Sequence, residues 1–358
     1  MKPALALPAP GRPLLRPDRL AALARRIVSP GSATADLYLG FACADAIAAG
    51  RIERHAPTVF RAGRTLIVAR HDSGLARLPD HDRLVYIIDD DWRAGIADPR
   101  LPAWYRLKLA AIEGRAARRL ERAAGVILTG SPRLAALYRR RGLGGRVRRI
   151  EPAWPAPAAA LPPPAGCATR LAYLGAATHQ DDARWLAQVL GPLLAGGAAL
   201  RLLWSGNHPL PRAWEGDARV TRLPAMGWQG YRDWMAGERF DIGLYPLRPG
   251  GFNAARSVNK LGEYDQFGAA VLASARWSAA RGAAARGACV LAPDDPRRWR
   301  YELARMLEEP GRAHATARAN RALQAAGGLA AQRRLWSGLL PGVLPGVLPA
   351  MPAGEDAR

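Results

Sequence analysis

The sequence predicts an α/β protein made of two Rossmann-like, doubly wound domains facing a cleft, and three observations carry that expectation. Short apolar runs of strand character alternate with helix-prone stretches along most of the chain. At 358 residues the chain exceeds one ordinary domain and suits two. The segment Glu151 to Cys167 is dominated by proline and alanine, lacks periodicity and separates the halves. The expected division is an N-terminal domain over 1–152, a linker over 153–168, a C-terminal domain over 169–340 and a disordered tail over 341–358, where LPGVLPGVLP is punctuated by proline.

In the first half, Asp36 to Phe41, Thr65 to Ala69, Leu84 to Ile88 and Gly125 to Leu128 read as strands. Leu101 to Ala124 reads as a long arginine-rich helix, and Ser131 to Arg141 as another, with Ser131 as its cap and Pro132 at its first position. In the second half, strands are expected at Arg170 to Leu174, Leu200 to Trp204, Arg219 to Leu223, Asp241 to Leu247, Ala269 to Ala273 and Ala288 to Leu291. Helices are expected at Ala183 to Leu194, Gln229 to Ala236, Val258 to Phe267, Trp299 to Leu307, Arg312 to Ala325 and Leu329 to Leu339. In such a sheet, ligands sit at the carboxyl ends of the strands.

Composition narrows the function. Cys43, Cys167 and Cys289 are odd in number and far apart, which fits a reducing compartment and no disulfide framework. The six histidines show no metal-ligand spacing, and no metal or other cofactor is expected. The proline-broken start lacks a signal peptide, and no run is long enough to span a membrane, so the expected location is cytoplasmic. A net charge of +22 fits an anionic membrane face or acidic substrates. Nucleic acid is not an expected partner, because the arginines are scattered and no motif with interleaved aromatics occurs.

The segment Phe240 to Ser274 holds the densest functional signal: a polar turn and helix between two buried strands. Ser257 stands at the N-cap position of the Val258 to Phe267 helix, whose first amides, with Asn259 and Lys260 among them, favour an anion. Gly250 and Gly251 let backbone approach a ligand closely. Arg256 and Lys260 add positive charge at the same end. Glu263 shares a helical face with Lys260 and can accept from neighbouring hydroxyls. An ordinary surface ion pair is the simpler account of Lys260 and Glu263. Against it, Lys2, Lys108 and Lys260 are the chain's only lysines, in a sequence that otherwise uses arginine. A second candidate is the turn GAATHQDD, Gly175 to Asp182, where a glycine follows a strand; Asp181 or Asp182 there is the simpler N-cap. A third is Asp89, Asp90 and Asp91 at the end of VYIIDDDW, a carboxylate cluster that either caps the next segment or holds a divalent metal.

The order DIGLYPL, FNAARS, NKLGEY, FGAAVLAS resembles the donor-binding region of family 4 glycosyltransferases of the GT-B fold, over about a hundred residues. The resemblance implies a retaining, metal-independent transfer of a sugar from a nucleotide diphosphate donor to a glycan or lipid-linked acceptor, in cell-surface polysaccharide synthesis; the positive charge adds the expectation of peripheral contact with an anionic membrane. It places Arg256 and Lys260 on the leaving diphosphate and Ser257, Val258 and Asn259 around it. Glu263 falls on the ribose, and Gly175, Ala176 and Thr178 face the diphosphate. LPAMGW, Leu223 to Trp228, looks like the base loop, with Trp228 or Met226 over the base. Many relatives carry a basic residue in the Gly175 turn, where this chain has Thr178 and His179. Many also carry a second glutamate that falls here at Ala255, and its absence leaves a non-catalytic nucleotide-sugar-binding protein as an alternative. Asp90 and Asp91 fall on the acceptor side; a metal-dependent GT-A transferase using Asp89 to Asp91 is the other alternative.

Overall fold

The computed structural model describes residues 31–157, 160–161, 168–176 and 178–344. The tail beyond 344, residues 162–167 of the linker and Cys167 therefore lie outside the described residues. Two six-stranded sheets form, one in each half.

The first sheet runs β1 (Glu53–Ala56), β2 (Val59–Ala62), β3 (Thr65–Ala69), β4 (Arg83–Ile88), β5 (Val126–Thr129) and β6 (Val147–Arg149), side by side in that order. β1, β2 and β3 pair antiparallel, and β3 to β6 pair parallel. The hairpin of β1 and β2 escaped the sequence reading because Glu53, Arg54 and His55 are polar and exposed, as suits a guarded sheet edge. Parallel strands laid down consecutively, each with a crossover of the usual hand, stack their helices on one face. On β4, Leu84, Tyr86 and Ile88 accordingly pack with Trp92, Leu109 and Leu120. Val85 and Ile87 face the other way, toward Leu37, Tyr38 and Trp336.

That second face corrects one expectation. Asp36 to Phe41 is helical, not a strand: Ala33–Ala35 continues directly into a wide turn over Asp36–Gly40. A short apolar run carries too little periodicity to separate the two conformations, and its surroundings decide. Here the carbonyls of Leu37 and Tyr38 accept from Gln332 Nε2 at 2.8 Å and Trp336 Nε1 at 2.9 Å. The N-terminal sheet is thus covered on its second face by the start and the end of the described chain.

The second sheet contains β7 (Thr169–Tyr173), β8 (Leu200–Ser205), β9 (Val220–Leu223), β10 (Ile242–Tyr245), β11 (Ala270–Ser274) and β12 (Val290–Ala292), all parallel, in the order β12-β11-β10-β7-β8-β9. This is the doubly wound order, and the winding reverses between β7 and β10. A crevice must open beyond the ends of those two strands, where the segments after Tyr173 and Tyr245 emerge.

The first-half helix α1 (Pro132–Tyr138) is capped as expected: Ser131 Oγ accepts from Leu134 N at 3.2 Å, and Pro132 opens the helix. In the second half, α2 (Gln180–Ala195), α3 (Trp228–Gly237), α4 (Asn259–Gln266) and α5 (Pro296–Glu308) flank the sheet. The final helix α6 (Pro310–Leu339) is continuous apart from a kink at Gly328, the junction of the two helices expected from sequence. Before the kink it serves the second half, with Asn320 Nδ2 on Leu261 O at 2.8 Å. Beyond it, Gln332, Arg333 and Trp336 bond to the first half. Cys43 and Cys289 are buried free thiols. No described helix is long and apolar enough to cross a membrane.

Candidate functional site

A cavity of about 380 Å³ lies between the two halves, at the end of the crevice that the β7/β10 reversal creates. Thr34, Tyr38, Arg70, Asp89 and Asp90 line it from the first half, and Trp154 from the connecting segment. The second half contributes Gly175, Ala176 and His179 after β7, the loop Leu223 to Met226 with Trp228, and Arg256, Ser257, Asn259, Lys260 and Glu263. Most of the residues expected from sequence thus converge.

Three do not. Val258 lines a second cavity on the other side of α4, and Thr178 lines neither of the two cavities described. Asp91 turns away from the crevice to cap the helix Trp92–Ala97, accepting from Ala94 N at 3.2 Å. The expected caps also move. Ser257 does not cap α4, which starts behind Val258, because the helix begins one residue later than its periodicity suggests. Neither Asp181 nor Asp182 caps α2; both lie inside its first turn, and His179 holds the cap position.

The carboxylates of Asp89, Asp90 and Asp91 diverge, so they form no metal cage. Asp89 Oδ2 accepts from Thr34 Oγ1 at 2.8 Å, and Asp90 Oδ1 accepts from Arg256 Nη1 at 2.8 Å. Asp90 is also 3.1 Å from Arg70, whose Nη2 reaches both oxygens of Glu113 at 2.8 and 3.0 Å. Burial raises the Asp89 carboxyl to about 6 against the pull of Arg70. Burial pushes Asp90 the same way, but Arg256 and Arg70 together outweigh it and hold that carboxyl below its usual range. Asp89 Oδ1 is buried without a hydrogen-bond partner, with Arg70 Nε 3.7 Å away as its ion-pair neighbour. Asp89, and not Asp91, thus joins Asp90 in the cavity wall.

Lys260 and Glu263 do form an ion pair, at 2.5 Å, yet Glu263 is buried, Lys260 is half-buried, and both line the crevice. Lys260 Nζ also donates to Leu174 O at 2.6 Å, and Tyr231 Oη donates to Glu263 Oε1 at 2.6 Å. Held from two sides, the Glu263 carboxylate keeps free lone pairs for vicinal hydroxyls. The aromatic wall is equally fixed. Trp228 Nε1 donates to Asp36 Oδ2 at 2.6 Å across the crevice, and the ring stacks with Tyr231. Trp154 Nε1 donates to Asn259 Oδ1 at 2.9 Å, and its ring meets Trp228 edge-on with centroids 5.7 Å apart. Gly262 is required there, since a Cβ would sit 2.3 Å from Trp154 Cδ1.

Sequence reading passed over Trp154, Tyr231 and Arg70. A lone tryptophan in a proline-alanine stretch was the available signal for Trp154. Gly175 also has a second role: a Cβ at that position would lie 2.5 Å from Tyr173 Oη and 2.8 Å from His208 Nε2. Ala255, where the family glutamate is expected, is buried, and its carbonyl accepts from Ser131 Oγ at 2.7 Å.

The arrangement suits a ligand with an anionic centre near Arg256 and Lys260 and hydroxyls near Glu263. No protein-family model matches the sequence. No curated protein matches it either. Solved structures do match. WaaG, a glycosyltransferase involved in lipopolysaccharide biosynthesis, aligns with a TM-score of 0.53 at 16% identity over 73% of this chain and 78% of its own. Anabaena Alr3699/HepE, solved in complex with UDP and glucose, gives 0.52 at 13% identity over 73% and 72%. Sucrose-phosphate synthase from Thermosynechococcus elongatus gives 0.50 at 14% identity over 73% and 68%. At such identities the likeness establishes the fold, which is GT-B.

Proposed function

We propose that this GT-B chain is a glycosyltransferase that moves a sugar from a nucleotide diphosphate donor to a glycan or lipid-linked acceptor, with retention and without a metal. The observation that carries the reading is the convergence, in one interdomain cavity, of Gly175 and Ala176, the cations Arg256 and Lys260, and the buried Glu263. The α4 amides and the two cations stabilise the diphosphate as charge accumulates on it in the transition state. Glu263, fixed by Tyr231 and Lys260, holds the ribose and so the position of the anomeric carbon. Val258 contributes its backbone at the helix start, and Thr178 lies in the turn beside the diphosphate. Asp89 and Asp90 face the acceptor, and Leu223 to Trp228 frames the base. Binding of UDP with glucose by HepE supports this class of donor. The role of WaaG in lipopolysaccharide synthesis supports cell-surface polysaccharide as the destination.

A thermal-shift series with UDP-, GDP- and ADP-sugars tests the donor. One base class should raise the melting temperature, since binding only the folded state stabilises by about 2.7 kcal/mol at a hundredfold excess over Kd. Indifference to every nucleotide sugar would sink the reading. The non-catalytic alternative is favoured by one observation: the backbone at Ala255 is committed to Ser131 and carries no carboxylate. Donor binding without hydrolysis or transfer across acceptors would establish that alternative.

Cytoplasmic residence with peripheral membrane contact completes the reading. The helical run after Pro102 exposes Trp104 and Leu107 and carries the exposed Arg118, Arg119 and Arg122, groups suited to an anionic lipid surface. Co-sedimentation with vesicles containing phosphatidylglycerol should fall several-fold in the Trp104→Ala/Leu107→Ala variant. Equal sedimentation of variant and parent would remove this surface from the account.

A further inference from the structure

His179 lies in the turn after β7, and its surroundings define its protonation state. Its Nδ1 lies 2.5 Å from Asp182 Oδ2, and its Nε2 lies 3.3 Å from Arg256 Nη2. A guanidinium has only donors, so Nε2 must be the accepting nitrogen and Nδ1 must carry the proton that Asp182 receives. The imidazole is therefore neutral while Arg256 leans on it. Asp182 is itself fixed, because its Oδ1 accepts from Arg248 N at 2.6 Å and Asn253 Nδ2 at 3.4 Å. The carboxylate thus sets the ring plane, and the Nε2 edge faces Arg256, which lines the cavity together with His179.

We propose that His179 is a phosphate-binding group that takes up a proton when the donor's diphosphate enters the cleft, with Asp182 as its positioning carboxylate. The inference rests on the nucleotide-sugar reading of the site. As Arg256 turns to the diphosphate, Nε2 loses its donor and acquires an anion instead. One proton from solvent then binds Nε2, which donates it as a charge-assisted hydrogen bond to a phosphate oxygen. No covalent bond is made or broken, and the chain gains one positive charge against the two of the diphosphate.

The charges around the ring support this direction. Burial disfavours the imidazolium, and Arg256 and Lys260 add to that, against Asp182, so the ring is held below its ordinary range. His208, across the Gly175 turn, is another cationic neighbour when protonated, and burial lowers it to about 4. Asp90 faces the ring from the first half. Tyr245 at the end of β10, with ring centroids 6.2 Å apart, and Tyr173, whose hydroxyl donates to His179 O, contribute no charge near neutral pH. A bound diphosphate adds negative charge to the balance that now favours the neutral ring.

Isothermal titration at pH 7 with UDP-glucose and GDP-mannose, in PIPES and in Tris, reads the proton directly. The diphosphate diester has no titrating group in that range, so buffer-dependent heat reports the protein. The expected uptake is about one proton per bound donor in the parent and close to none in His179→Asn, with affinity falling up to about tenfold per pH unit above neutrality. Asp182→Asn, which keeps the acceptor for Arg248 N, should reduce uptake by about half and serves where His179→Asn fails to fold. Binding with no buffer dependence overturns the inference and spares the donor reading, as does uptake unchanged in either variant. No heat with either nucleotide sugar overturns both.

Discussion

Arg256→Ala is expected to lower sugar transfer, or donor hydrolysis, by about 10²–10³-fold, the loss typical of removing one preorganised donor to developing negative charge. Arg256 lies between Asp90 and His179, with its guanidinium over the Phe252 ring. Burial works against its charge, but Asp90 together with Tyr245 and Tyr105 outweighs it, so the guanidinium remains cationic. Its removal also leaves Asp90 with Arg70 as its remaining ion-pair partner at 3.1 Å. Truncating one member of a buried pair costs about 3–5 kcal/mol when the other is stranded, so the single variant confounds stability with chemistry. Asp90→Asn in the Arg256→Ala background separates them. The double variant should recover most of the melting temperature and little of the activity. Recovery of transfer together with stability would make Arg256 an interdomain strut and nothing more.

Gly243→Val is expected to destabilise the C-terminal half by about 3 kcal/mol or more, beyond the usual range for overpacking. Gly243 lies in β10, between β7 and β11, and a Cβ there would come 2.2 Å from Cδ1 of the Tyr264 ring. That ring cannot step aside. Tyr264 is fully buried, and its hydroxyl donates to Leu244 O at 2.9 Å and lies 3.2 Å from Ala172 O, so it ties β10 to β7 beneath the site. The shift would be passed to α4, which carries Lys260 and Glu263 one turn before or beside Tyr264. Gly191→Ala, in α2 with open space around it, should instead stabilise by about 0.5–1 kcal/mol. Urea midpoints of the two variants check the contrast. A Gly243→Val protein as stable as its parent would mean that the Tyr264 contact is soft.

Much of the fold was readable because fully covered parallel strands are apolar along their whole length and the helices between them are periodic. β3, β4 and the strands of the second half were placed within a residue or two for that reason, and Ser131 announced its helix through capping chemistry. Asp36 to Phe41 failed because six mostly apolar residues suit a strand or a buried helix equally well. β1 failed for the opposite reason, being polar on an exposed edge. At the site, Arg256, Lys260 and Glu263 were legible because charge beside a helix start between two buried strands has few structural uses. Trp154, Tyr231 and Arg70 were not, since each acquires its role from a partner far away in the chain.

The sequence by itself determined two α/β halves and a cationic, polar helix start between two buried strands of the second, because these depend on periodicity and local charge. Only the tertiary structure decided which aspartates face the crevice, that Asp90 neutralises Arg256, and that Asp182 orients His179 toward the guanidinium. The Asp90 contact joins residues 166 positions apart, and the orientation of His179 depends on that same distant guanidinium. Such juxtapositions follow from how two sheets dock and how α6 bends back across them. No local pattern encodes that docking, because its energy is spread over the packing of both halves.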